Sequence, residues 1–232
     1  MLHFFSVLAE PSVQQALWLT AQLALATLVL HLFAGLGLGY CLSKPSWPGR
    51  GLLDLLVTVP LVFPPMATGF VLLMLLGRHG VVGSALRQWL GVEVVFTFTG
   101  LLLAAFISGI PLVVKPVQAA LEGMAQRQAE AARTLGKTEL QIFWFVLLPA
   151  IRGALTAGLI LGLGRALGEV GMTLMLGGNI TGRTVTASLD IYNAVLAGDY
   201  ERAGAVSLVL GAVTILLFMA LRQRSSMVRL LT

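Results

Sequence analysis

Charge is scarce in this sequence. Lys, Arg, Asp and Glu make up 11% of its 232 residues, against roughly 25% in a soluble domain. With 57% hydrophobic residues and a mean hydropathy of +0.92, that shortage excludes an ordinary water-soluble fold and implies an integral membrane protein. Cysteine occurs once, at Cys41, so no intramolecular disulfide can form; the residue ends an apolar run beside small residues, and a packing role is expected. His3, His31 and His79 are scattered, which provides no metal-ligand spacing. No cluster of His, Asp or Glu gathers at one membrane face, so no catalytic residue and no metal site is assigned, and a membrane enzyme is disfavoured. Met1 to Glu10 lack the basic start of a cleavable signal. The net charge of +5 raises the question of nucleic acid. The basic residues, however, sit in short loops between apolar runs, where they act as topology signals, and no nucleic-acid partner is expected.

What is present is a series of apolar runs long enough for a bilayer core, which takes about 20 residues per helix. The first covers about 16–41. Its Gly35 and Gly39 form a small-xxx-small face for close helix approach, and its His31 reads as a packing residue. A basic, proline-rich turn at Lys44 to Arg50 follows, with Trp47 suited to the interface. The second run, about 52–76, contains Pro60, Pro64 and Pro65. Each removes a backbone donor, and the freed carbonyls must find protein or water in place of lipid. These prolines mark either a stretch of translocation path or a purely structural kink. Val81 to Leu90 is amphipathic and expected to lie on the outer interface. The third run covers about 94–117, kinked near Pro111, with Lys115 able to snorkel from its inner end. The fourth covers about 154–176, and the last about 203–221. The stretch 185–197 is too polar to span confidently.

Arg165 and Glu169 lie one turn apart on the fourth run. Charges inside a membrane are costly and usually face the interior. The two either lock the bundle as a mutual ion pair or meet the substrate. About five spans result, forming a single all-α polytopic membrane helical bundle over 1–232. With the amino end outside and the carboxyl end cytoplasmic, the inner segments hold Lys44, Arg50, Lys115, Arg127, Arg133, Lys137, Arg152, Arg222, Arg224 and Arg229. The outer ones hold only Arg78, Arg87, Arg183 and Arg202, as the positive-inside rule requires.

One polar insert interrupts the apolar runs, at about 122–149. Ala125 to Leu135 are mostly strong helix formers. Gly136 suits the left-handed position that ends a helix, and Thr138 with Gln141 forms a capping box for the next one. Pro149 should bend that second helix. Gly136-Lys137-Thr138 matches the end of a phosphate-binding loop, but Ala131 stands where that motif needs glycine and no strand precedes it. Nucleotide binding by this chain is therefore excluded.

The insert carries Glu130-Ala131-Ala132, then Gly136, then Val146-Leu147-Leu148-Pro149. That spacing resembles the signature loop of permease subunits in ATP-binding-cassette importers, with Val146 where isoleucine is usual. The resemblance implies the type I importer permease fold. It also implies a cytoplasmic coupling helix that docks into the ATPase subunit, through Glu130, Ala131, Ala132, Gly136, Leu148 and Pro149. Two further stretches, Leu61 to Gly69 and Arg165 to Gly171 followed by Gly178 to Thr184, are similar to oxyanion importers and to the molybdate permease subunit family. Val170 and Thr181 depart from that pattern, which tungstate and sulfate permeases largely share.

By that resemblance the chain sits in the cell inner membrane and pairs with a second copy of itself. Two ATPase subunits carry ATP and magnesium, an external binding protein (periplasmic or lipid-anchored) delivers the anion, and this chain binds no cofactor. The path residues would be Pro60, Pro64, Pro65, Arg165 and Glu169, and the substrate molybdate or tungstate, or alternatively sulfate. An ion-coupled secondary transporter is the competing class; it would need mid-membrane charges, for which Arg165 and Glu169 are the clear candidates.

Overall fold

The computed structural model describes residues 2–44 and 47–227. Pro45, Ser46 and Arg229 lie outside the described residues, as do the side chains of Arg222 and Arg224. The described chain is helical: α1 (Leu2–Leu8), α2 (Pro11–Ser43), α3 (Arg50–Val62), α4 (Pro65–Leu76), α5 (Val81–Leu90), α6 (Phe98–Ala120), α7 (Gln126–Thr134), α8 (Glu139–Ile142), α9 (Leu148–Leu167), α10 (Gly171–Gly177), α11 (Ala187–Leu196) and α12 (Tyr200–Met227). Among the described residues four helices are long and apolar enough to cross a membrane: α2, α6, the run Glu139–Leu167 and α12. The bent pair α4 and α5 makes a fifth if counted as one span.

A trunk of α2, α6 and α9 forms the centre. The α6 span is 61% buried and the α12 span 17%, so α6 is the axis and α12 an outer helix. Small residues let these helices touch through their backbones. Gly35 and Gly39, the face expected from their spacing, receive the side chains of Val113 and Val117 on α6. On the other side of α6, a β-carbon on Gly158 would lie 2.9 Å from the Val113 Cα, and one on Gly109 would collide with the Gly162 carbonyl and the His31 ring. His31 is fully buried, with Nε2 3.0 Å from the Phe106 carbonyl, the packing residue its position suggests. Cys41, in contrast, is exposed on α2.

Two expected spans are broken. The second, read as one helix over 52–76, is two: α3 ends at Val62 and α4 begins at Pro65. Pro60 is tolerated inside α3. The tandem Pro64-Pro65 is not, because proline forces the residue before it out of the helical region. Phe63 is accordingly extended, at φ −77° and ψ 139°. The fourth, read as about 154–176, ends at Leu167 and restarts as α10, with Gly168 capping the first piece. At its other end it reaches back to Glu139. The 185–197 stretch is α11, whose 10 residues span about 15 Å, half a bilayer core.

The first and last helices are clasped together. Arg202 on α12 bonds Asp190 on α11 at 2.6 Å, Glu10 at 2.9 Å and Ser12 at 3.2 Å. On α2 the Thr20 hydroxyl accepts the Ala187 amide at 2.8 Å. These bonds gather residues 10–20 and 182–202 at one end of the bundle.

Candidate functional site

At the opposite end lies the loop with the signature spacing. The α6 helix leaves the trunk through a π-helical turn, Leu121–Ala125, in which Gly123 breaks helical geometry at ψ −126°. α7 then buries Ala125, Ala129 and Ala132 against Leu121, Ile142, Leu147 and Ile151 of the same chain. Ala132, expected in the ATPase contact, turns its side chain to its own trunk, because the alanines at i, i+4 and i+7 form the apolar stripe. The free face of α7 carries Glu130, Ala131 and Thr134, and the exposed Leu135 and Leu140 flank its tip. Gln126 Nε2 donates to Glu130 at 3.0 Å, a local contact one turn back.

The end of α7 has both bonds of a Schellman motif. The Lys137 amide donates to the Ala132 carbonyl at 3.1 Å and the Gly136 amide to the Arg133 carbonyl at 3.0 Å. Gly136 sits at φ +74°, as its place after the helix suggests. Thr138 and Gln141 close the expected capping box, at 3.1 and 3.4 Å. Across the turn, Arg133 grips Glu139 with two bonds, 2.6 and 3.0 Å. The Glu139 carboxylate raises the pKa of the Arg133 guanidinium. A second π-helical turn, Phe143–Leu147, leads into α9. The Leu148 amide bonds five residues back to Phe143, which re-registers the ladder just where Pro149 has no amide to give. Leu148 is partly buried on the trunk, and Pro149 is exposed.

The two broken spans meet each other. α10 crosses α4 so closely that a β-carbon on Gly171 would lie 3.2 Å from the Met66 amide nitrogen, and one on Gly69 would lie 3.0 Å from the Met172 Cα. Pro64 and Pro65 therefore stand beside the Gly168–Gly171 break. Pro60 is one turn further along α3. Glu169 is 2% exposed. Its Oε1 accepts the Met172 amide at 3.0 Å, and its Oε2 lies 2.8 Å from Arg165 Nη1. Of the two roles open to the pair, the geometry is that of an ion pair which also caps α10. Around the break Val62, Phe63 and Met66 are exposed apolar side chains.

Several polar contacts have no counterpart in the sequence-based expectations. Lys115 reaches Asp54 on α3 at 2.6 Å, and Arg50 reaches Glu122 at 2.8 Å. Together they brace α3 against both ends of the α6 exit. Asp54 could have been found: an acid inside an apolar run implies a partner. At the other end Arg78 pairs with Glu93 at 3.1 Å.

Three comparisons bear on this arrangement. Residues 14–226 match the family described as binding-protein-dependent transport system inner membrane component. The molybdenum transport system permease protein ModB of Escherichia coli K12 is 32% identical over 91% of this chain and 93% of its own length. The sulfate transport system permease protein CysT of Salmonella typhimurium is 34% identical over 97% of this chain and 80% of its own length. The chloroplastic sulfate permease 2 of Chlamydomonas reinhardtii is 38% identical over 93% of this chain, which spans 58% of that protein. A crystal structure of a bacterial alginate ABC importer has the same fold, with a TM-score of 0.77 over 97% of this chain and 82% of the other at 20% identity. A membrane bundle with a signature loop folded at one end, matched along nearly its whole length, belongs to the binding-protein-dependent inner membrane components, the permease subunits of ABC importers.

Proposed function

We propose that this chain forms the membrane path of an importer for a tetrahedral oxyanion, molybdate or tungstate before sulfate. The observation that carries this reading is the loop: a glycine-ended helix, stapled to its own trunk and exposing Glu130, Ala131, Thr134 and Leu135. In this reading that face docks on a separate ATPase subunit, which holds ATP and magnesium, and this chain binds neither. Gly136 sets the loop's exit, and Leu148 and Pro149 join it to α9. The loop end is cytoplasmic, the 77–97 and 178–202 end faces outside, and the membrane is the cell inner membrane. Two copies enclose the path between their α3–α4 and α10 layers, where Pro60, Pro64 and Pro65 free the backbone to bend. Arg165 and Glu169 hold the break in place. Nucleotide-driven closure of the ATPase pair shifts α7, and the trunk passes the shift to the broken layer, a two-state element biased by both partners. An external binding protein delivers the anion.

Molybdate leads because the stretches Arg165 to Gly171 and Gly178 to Thr184 are similar to molybdate permeases. Sulfate is the second reading, favoured by the named sulfate relatives at 34% and 38% identity. Deleting the gene in a strain without another importer for these anions should lower cellular molybdenum and tungsten under limiting supply and spare sulfate uptake. The converse result selects sulfate. Normal uptake of all three overturns the oxyanion reading.

A further inference from the structure

At the end that the proposed function places outside lies a cavity of about 690 Å³ between the α4–α5 turn, residues 92–97 and the Ile180 to Arg183 turn. Three arginines line it, Arg78, Arg87 and Arg183, together with His79 and one acid, Glu93. Glu93 is already paired with Arg78. Neither Arg87 nor Arg183 has a carboxylate within ion-pair distance among the described residues. The neighbouring cavity on the same end is different: there Arg202 is matched by Asp190 and Glu10. Arg183 stands on the wall shared by the two cavities, and Asp190 and Asp199 lie on the far side of it, so the unmatched positive charge is that of Arg87 together with Arg183.

The pocket is also built rather than loose. α5 folds back so tightly that a β-carbon on Gly83 would collide with the carbonyls of Leu76 and Gly77. Arg87, one turn on, thereby faces the same side as Gly83. On the opposite wall Phe96 holds φ +63°, a strained value for a bulky residue. Its amide donates to the Leu176 carbonyl at 2.7 Å, and its ring packs on Gly178. That contact fixes residues 92–97 against the turn carrying Arg183.

We propose that this cavity is a transit site for the oxyanion at the outer mouth, with Arg87 and Arg183 as its anion-binding residues. The proposal rests on the oxyanion-importer reading. A planar guanidinium offers forked donors that match the oxygens of a tetrahedral anion. Two of them, neither ion-paired to a carboxylate among the described residues, draw the anion in, and the half-open pocket lets it leave again. The same donors could instead grip carboxylates of the docked binding protein, and the test separates these sources.

The complete importer, with its ATPase and binding protein, is reconstituted in liposomes. Wild type is compared with Arg87→Gln, Arg183→Gln, the double variant and the two Lys replacements. Uptake of labelled molybdate and of labelled sulfate is measured per ATPase-bearing complex, at saturating loaded binding protein. The affinity of the binding protein for each complex is measured alongside. Each Gln variant should lower uptake about tenfold, the double variant further, and the Lys variants much less. Binding-protein affinity should stay within about twofold of wild type. Uptake by the double variant equal to wild type overturns the transit site and leaves the importer reading intact. So does a loss of uptake matched by an equal loss of binding-protein affinity, which would make the arginines a protein-docking patch. A wild-type complex that imports neither of these anions nor tungstate overturns the parent reading, and this one with it.

Discussion

The trunk and the broken layer are built from the same kinds of residue and behave in opposite ways. In the trunk, Gly35 and Gly39 on α2, Gly109 on α6, and Gly158 and Gly162 on α9 sit opposite side chains or backbone that fill the missing β-carbon. The helices run unbroken through these contacts. In the layer of α3, α4 and α10, glycines again bring backbones together, Gly69 to Met172 and Gly171 to Met66. There, however, the helices are interrupted at the crossing, and the partners are methionines, which are flexible and repack easily. Continuous helices in close contact transmit a push; interrupted ones with soft contacts absorb it. The contrast lies in what interrupts a helix: α6 runs unbroken through Pro111 and Pro116, whereas the Pro64-Pro65 tandem and Gly168 end helices in the layer.

The largest expected effect comes from filling the trunk. Gly109→Leu would drive a side chain into the Gly162 carbonyl and His31. The backbone cannot yield as side chains do, so the cost should exceed the roughly 1–3 kcal/mol of ordinary overpacking. Little monodisperse protein should survive detergent extraction. Gly164→Leu is the control, since nothing lies within 4 Å of a β-carbon there. Equal recovery of the two variants would show that the trunk is not tightly held, and the contrast with the broken layer would go.

The next test is on the hinge. Glu169→Gln keeps an acceptor for the Met172 amide but removes the charge facing Arg165; Glu169→Ala removes both. The Ala variant should loosen 168–177 more, by about the 1 kcal/mol of a lost helix cap, read as faster amide exchange in that segment. Arg165 is more than a third exposed, which weakens the ion-pair share. Identical exchange in both variants would assign the whole effect to the ion pair and none to the cap.

The smallest effect on stability should come from the loop. At Gly136 a β-carbon meets nothing within 4 Å, so any cost of substitution is conformational. Gly136→Val should cost about 1–2 kcal/mol locally and reduce ATPase co-purification, while Gly136→Asn, a residue that tolerates this region, retains it. A Val variant that keeps its ATPase would show that the left-handed turn is dispensable for docking.

The loop was the most legible part of the sequence, for a physical reason. Gly136, Thr138 and Gln141 act on neighbours within a few residues, so spacing alone determines their partners. The Gly35 and Gly39 face was visible, but Val113 and Val117, which fill it, were not, because nothing local identifies a partner some 80 residues away. Of the prolines, Pro60 and Pro64 look alike in sequence; only the tandem with Pro65 makes the second a break. The break at Gly168 depends on α10 finding α4 to pack on and Glu169 to cap it. That Ala132 packs on its own trunk was not legible either, because an alanine stripe marks a close contact without saying which element supplies it.

The clasp at Arg202 bears on how the chain is made. Glu10 and Arg202 are 192 positions apart. At about 5–20 residues per second, roughly 10–40 s separate the synthesis of the two partners. Through that interval Glu10 stays unpaired, which is cheap only in water, ahead of the first span. α11 can already bond α2 through Ala187 and Thr20, but its Asp190 waits for Arg202. The last of the four spans is thus both the least buried of them and the one that supplies the partner of Glu10. A ribosome that stops before Arg202 releases a trunk with α2 in place but with Glu10 and Asp190 lacking their shared cation.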